Sequence, residues 1–198
     1  MYIGNDIIAL KESFNSSSFS NARYYNKISD IAERDLLVIV ENNASALLWS
    51  LKESAYKLCS KMCTPIPFNP KHFRLIDIAE KNLFLESKVE FVNNQLVFQG
   101  KTFICDDYLH SWLMPLDQDQ SKLKSEVFAF ESSDEEQNSY QIKQILRKKL
   151  AGFYGLNARK IKLQKDRNGI PFVTLEGRIS PDISLSHDGE YAAYTFVY

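Results

Sequence analysis

Glu53 and Lys57 stand four residues apart in Trp49-Ser50-Leu51-Lys52-Glu53-Ser54-Ala55-Tyr56-Lys57-Leu58. On a helix, that spacing projects a carboxylate and an ammonium from neighbouring positions. A second carboxylate, Asp6, lies in the short run Gly4-Asn5-Asp6-Ile7-Ile8, at the end of a short strand. Two carboxylates beside a lysine suit metal-assisted phosphate chemistry, with hard oxygens for a divalent cation and an ammonium for a phosphate oxygen. Taken singly, neither element is diagnostic. A Glu–Lys pair at this spacing is commonly a solvated surface pair worth about 0.2–0.5 kcal/mol. A lone aspartate at a strand end is commonly a turn or cap residue.

The elements that must position these groups are legible from periodicity. At about 100° per residue, Leu47, Leu48, Leu51, Ala55 and Leu58 gather into one apolar arc, with Trp49, Lys52, Glu53, Tyr56 and Lys57 on the other side. A strand around residues 2–7, a Ser/Asn-rich turn at 15–18 and helices around 19–30 and 44–60 are expected, with Pro65, Pro67 and Pro70 ending the helical region. Strands follow around 73–79, 88–92, 95–99 and 108–114, with Asn93-Asn94 as a tight turn. The polar stretch 117–138 reads as a linker, interrupted by a strand at 127–130. An amphipathic helix over 139–154 carries Tyr140, Ile142, Ile145, Leu146, Leu150 and Phe153, and stops at Gly155. Strands then fit 160–164, 171–175, 183–186 and 191–197. The expected class is α+β, built from two pseudo-symmetric helix-plus-antiparallel-sheet subdomains, 1–116 and 139–198, joined by the linker 117–138.

Composition narrows the functional classes. At 198 residues and 44% hydrophobic content the chain can bury roughly 70% of its unfolded surface. A formal net charge of -1 and the lack of a basic stripe argue against nucleic acid, so an acidic partner must be met by a local patch. No apolar run approaches the roughly 18–20 residues of a membrane span. The first residues lack a basic region followed by an apolar one, and Cys59, Cys63 and Cys105 are odd in number. A cytoplasmic protein with reduced thiols and no zinc site is therefore expected.

Taken in order, Gly4-Asn5-Asp6-Ile7-Ile8, the Trp49–Lys57 segment, Gly169-Ile170-Pro171 and Ile183-Ser184-Leu185-Ser186-His187 resemble the motifs of the 4′-phosphopantetheinyl transferase superfamily. The helix motif matches at every defined position. The motif order is that of the holo-acyl-carrier-protein synthases, which are shorter and trimeric. The two-block length is that of the surfactin-type monomers, which run their halves in the opposite order. A monomeric pseudo-dimer with permuted halves is the simplest account, and compact folds tolerate such rearrangement.

The resemblance implies transfer of the 4′-phosphopantetheine arm of coenzyme A to a serine of an acidic acyl- or peptidyl-carrier protein, as in fatty acid or polyketide biosynthesis. Adenosine 3′,5′-bisphosphate is the expected leaving product. It implies Mg2+ on Asp6 and Glu53, catalytic roles for Glu53 and Lys57, and coenzyme A contacts from Lys52, Lys57, Ser186 and His187. His72 and His110 have no such context and read as ordinary strand residues. Two departures stand out: Ile170 replaces the lysine of the family's Gly-Lys-Pro turn, and Ile8 replaces a third acidic ligand. Arg147, Lys148 or Lys149 could then meet the 3′-phosphate, although a solvated helix face also accounts for them. Arg23 and Lys27, with Tyr24 and Tyr25 between them, are candidates to receive the carrier. The competing readings are a non-catalytic homologue that binds coenzyme A or a carrier, and a plain α+β interaction module.

Overall fold

The computed structural model describes residues 1–11, 21–62, 67–130, 134–179 and 181–198. The expected turn at 15–18, Cys63 and Pro65 lie outside the described residues. The class is α+β with antiparallel sheets. In the first half, β1 (Gly4–Ala9) is followed by α1 (Ala22–Ile28), α2 (Ile31–Leu36) and the long α3 (Ala44–Met62). Four strands complete it: β2 (Phe73–Lys81), β3 (Phe84–Phe91), β4 (Leu96–Ile104) and β5 (Tyr108–Pro115). They form one sheet in the order β1-β5-β4-β3-β2.

The second half opens with β6 (Leu123–Ala129) and α4 (Glu135–Tyr154). It continues with β7 (Ile161–Lys165), β8 (Pro171–Leu175), β9 (Arg178–Ile179), β10 (Asp182–Asp188) and β11 (Tyr191–Val197). These make two three-stranded sheets, β10-β11-β6 and β7-β8-β9. Both halves share one connectivity. The strand before the long helix pairs with the last strand of its half, β1 with β5 and β6 with β11. The penultimate strand, β4 or β10, lies on the other side of that last strand.

The stretch 117–138 is not a linker. β6 pairs with β11 along its whole length, from Leu123 opposite Val197 to Ala129 opposite Tyr191. Asp134 then caps α4, accepting hydrogen bonds from Glu136 and Gln137 backbone N–H, so the helix starts before Ser139. Its far end stops where expected, with Gly155 in the left-handed region at φ 63°. The helix expected over 19–30 is α1, which ends at Ile28; residues 19–20 lie outside the described residues. Beyond it an Asp30–Glu33 capping box starts α2, a further short helix not expected from the sequence.

The apolar arc of α3 is the centre of the first core. Leu47, Leu48, Leu51, Ala55 and Leu58 are fully buried against Ile8, Phe73, Val89, Leu109 and Leu113. Each leucine contributes about 1.5–3 kcal/mol of transfer free energy. The second core gathers Ile142, Leu146 and Leu150 of α4 on Val173, Ile183, Tyr194 and Phe196. Tyr140 and Phe153 remain exposed. Among the described residues no helix is long and apolar enough to cross a membrane.

Candidate functional site

β1 lies directly on the backbone of α3. A Cβ at Gly4 would stand 2.0 Å from the Ser54 carbonyl oxygen, so only glycine permits this approach. By strand alternation, Asp6 faces the helix as Gly4 does. Lys57 Nζ donates to Asp6 Oδ1 at 2.9 Å and to the Asn5 carbonyl at 3.0 Å. Glu53, one helical turn back, is half-buried. Burial, reinforced by the negative charge of Asp6 and opposed by Lys57, pushes its carboxyl up to about 7. Two carboxylates that feel each other in a partly dry setting are thus gathered with one ammonium. Asp6 and Glu53 are the residues that could hold a divalent cation. Among the described residues there is no group of three or more His, Cys, Asp or Glu side chains able to hold one.

Beside this cluster a cleft of about 300 Å³ opens between the halves. α3 lines it with Tyr56, Lys57, Ser60 and Lys61; α4 with Ser139, Ile142 and Lys143; the β7–β8 turn with Lys165, Asn168, Gly169, Ile170 and Pro171; and β10 with Ser184, Leu185 and His187. The turn is built locally. Asp166 Oδ1 accepts from Asn168 and Ile170 backbone N–H at 2.8 and 2.9 Å, and Gly169 takes φ 80°. Four lysines and a histidine line the cleft, and no carboxylate among the described residues does. Lys57 is held by Asp6, and Lys61 by Asp182 at 2.9 Å. Lys143 and Lys165 carry no ion pair among the described residues. Fixed and free cations converging on one concavity, with Tyr56, Ile142, Ile170, Pro171 and Leu185 supplying apolar wall, suit a phosphorylated organic ligand.

The structure sorts the sequence-derived candidates. Asp6, Glu53 and Lys57 share one neighbourhood, and Lys57, His187 and the Gly169–Pro171 turn share the cleft. Lys52 does not belong there, which corrects its assignment as a coenzyme A contact. It is buried, with Nζ 2.8 Å from a Glu33 oxygen and 2.6 Å from the Ile28 carbonyl, because adjacent helical positions diverge by about 100°. Burial pulls its ammonium down, against the upward pull of Glu33. Ser186 is also turned away: it is buried and accepts from Asn5 Nδ2 at 3.1 Å, while His187, next along the strand, faces the cleft. Arg147, Lys148 and Lys149 do not line the cleft; Arg147 pairs with Gln144, and Lys149 with Glu126. Tyr24 packs on Trp49.

Lys61, Lys143 and Lys165 were not singled out by the sequence. Only Lys61 left a signal, since it extends the four-residue series Glu53, Lys57 along one stripe of α3. His72 lies in a 3-10 turn, not a strand. His110 is in β5 as expected but is more than a strand residue. It is fully buried, and burial, then the Lys57 charge, push it down to about 3. The unfolded chain, with an ordinary histidine near 6.5, therefore binds the proton more readily. His110 contributes stability above about pH 6.5 that is lost as pH falls toward about 3. Urea unfolding across that range should show the loss in the wild type and a flatter profile in His110→Gln.

Comparison of the chain with protein-family models, with curated proteins and with solved structures finds no match.

Proposed function

We propose that this chain is a 4′-phosphopantetheinyl transferase with a transferase-like fold of two pseudo-symmetric halves. It would move the phosphopantetheine arm of coenzyme A onto a serine of an acyl- or peptidyl-carrier protein. One observation carries the reading: a cationic cleft between the halves meets the Asp6–Glu53 carboxylate pair at Lys57. Motifs far apart in sequence contribute to the same place, as the resemblance requires.

The donor set fits Mg2+, which takes few protein oxygens and keeps several waters. Asp6 and Glu53 would hold it, and the relief of their mutual repulsion favours its binding. When bound, the ion supplies charge compensation for the pyrophosphate. Lys143, Lys165 and His187 bind the phosphates of coenzyme A, with Ile142, Ile170 and Leu185 as the apolar wall beside them. Glu53 accepts the proton of the carrier serine as its oxygen bonds to the β-phosphorus. The bridging P–O bond breaks, and Lys57 stabilises the oxygen that leaves with adenosine 3′,5′-bisphosphate. Ile170, where a family lysine is expected, is offset in charge by Lys143 and Lys165 on the same cleft.

Titration calorimetry with coenzyme A, with and without Mg2+, tests the reading. Wild-type protein should bind, more tightly with the ion. The Lys143→Ala/Lys165→Ala double variant should bind about 10- to 100-fold more weakly, since a hydrogen bond to a charged group is worth about 1.5–3 kcal/mol. Undiminished affinity in the double variant would remove the cleft as the binding site. Binding that is indifferent to Mg2+ and leads to no transfer would favour the non-catalytic homologue.

A further inference from the structure

The halves are joined along an edge strand whose backbone is satisfied by side chains instead of a neighbouring strand. Asp182 Oδ2 accepts from Ile3 N–H at 2.6 Å, Ser184 Oγ from Asn5 N–H at 2.9 Å, and Asp188 Oδ2 from Ala9 N–H at 2.8 Å. The residues 182, 184, 186 and 188 share one face of β10, and 5, 7 and 9 of β1 alternate likewise, with Ile3 just ahead of the strand. That period would aim Ser186 at Ile7. Its hydroxyl instead accepts from the side-chain amide of Asn5. The same Asn5 Nδ2 lies 3.3 Å from His110 Nε2 on β5, which accepts from it in the neutral ring. The Asn5 carbonyl receives Lys57 from α3. Asn5 is fully buried, and it is the residue where α3, β5 and β10 are tied together.

Resting on the proposed coenzyme A cleft, we infer that Asn5 is a positioning residue. Its amide, seated between His110 and Ser186, sets the spacing between Lys57 on one wall and His187 on the other. Ser186 acts through Asn5 and is not itself a phosphate ligand. Two features support this. Ser186 and His187 are adjacent on an extended strand, so they face opposite ways, and only His187 lines the cleft. Ser184, the other serine on the Asn5 side, reaches the cleft lining, but its hydroxyl is likewise committed to β1 by its bond from Asn5 N–H.

Calorimetric dissociation constants for coenzyme A and for inorganic pyrophosphate, measured well below the unfolding transition, test it on the wild type, Asn5→Ala, Ser186→Ala and the double variant. Each single change should weaken coenzyme A binding about tenfold, and the double change should add no more than about twofold, because both delete one shared contact. Asn5→Ala that binds like the wild type overturns the inference. So do losses that multiply to about a hundredfold, which would make Ser186 a ligand in its own right. A merely structural role lowers the unfolding temperature and leaves the dissociation constants unchanged, which also overturns it. Should Asn5→Ala not fold, His110→Phe, which removes the amide's other support from outside the cleft lining, should still weaken binding about threefold; unchanged affinity there overturns the inference. Wild-type protein that binds pyrophosphate but not coenzyme A refutes the transferase reading alone, and the same comparison is then read with pyrophosphate. Binding of neither ligand refutes both.

Discussion

Glu53→Gln is expected to lower phosphopantetheine transfer by about a thousandfold or more, roughly 4 kcal/mol in the barrier, while the protein stays folded. The amide keeps the size of the side chain but can neither take the serine proton nor offer an anionic oxygen to a cation. The same variant has a second, opposite signature in stability. The folded-state carboxyl of Glu53 is raised from 4.5 to about 7, so the native protein holds more protons than the unfolded chain across that window. Its contribution to stability therefore falls as pH rises from about 4.5 to about 7, and the ionised form is the costly one above that. Metal-free Glu53→Gln should consequently be more stable than wild type above about pH 7 and indistinguishable from it below about pH 4.5. Thermal unfolding in chelator at several pH values reads this directly. Equal stability at every pH would mean that Glu53 is not held beside Asp6 in a dry setting.

Lys52→Met should produce the largest loss of stability, about 3–5 kcal/mol, because it breaks a buried ion pair from one side. Glu33 would keep only the Leu75 and Asp30 backbone N–H donors, each at 2.9 Å, and the Ile28 carbonyl would lose its donor. The consequence is a fall of about 10 °C in unfolding temperature for a chain of this size. The pair ties α2 and the end of α1 to α3 and β2, so it is a device of the first core. Coenzyme A affinity, measured below the transition, should be unaltered. A loss of affinity without a loss of stability would return Lys52 to the role of a coenzyme A contact.

The contrast between Lys52 and Glu53 shows what a sequence motif can and cannot carry. Both belong to the same Lys-Glu dipeptide, and periodicity correctly placed five apolar residues of α3 in the core. It could not say whether Lys52 meets solvent or a partner, because Glu33 reaches it from a separate short helix nineteen positions away in the chain. β6 is obscured in the sequence for a related reason. Ser125 falls on the face of Leu123 and Val127, and Phe128 on that of Lys124 and Glu126, so no clean alternation marks the strand, and its identity depends on pairing with β11 far along the chain. β3 begins at Phe84, ahead of the expected start, where the alternation of Leu85 and Ser87 is concealed by a buried serine. In the site, Lys57 and His187, which only the resemblance assigned to one place, line the same cleft. Lys143 and Lys165 carry no motif and became visible only through the cleft they line. Asn5 was hidden beside Asp6, because alternation sends the two side chains to opposite faces of β1 and so into different networks.

Covalent transfer to a carrier is read most directly by intact-mass spectrometry. An apo carrier protein incubated with coenzyme A, Mg2+ and this protein should gain the mass of one phosphopantetheine arm, and the gain should vanish with Glu53→Gln. No gain on any of a set of fatty-acid and peptide-synthesis carriers, under conditions where coenzyme A binds the cleft, would rule out the proposed transfer.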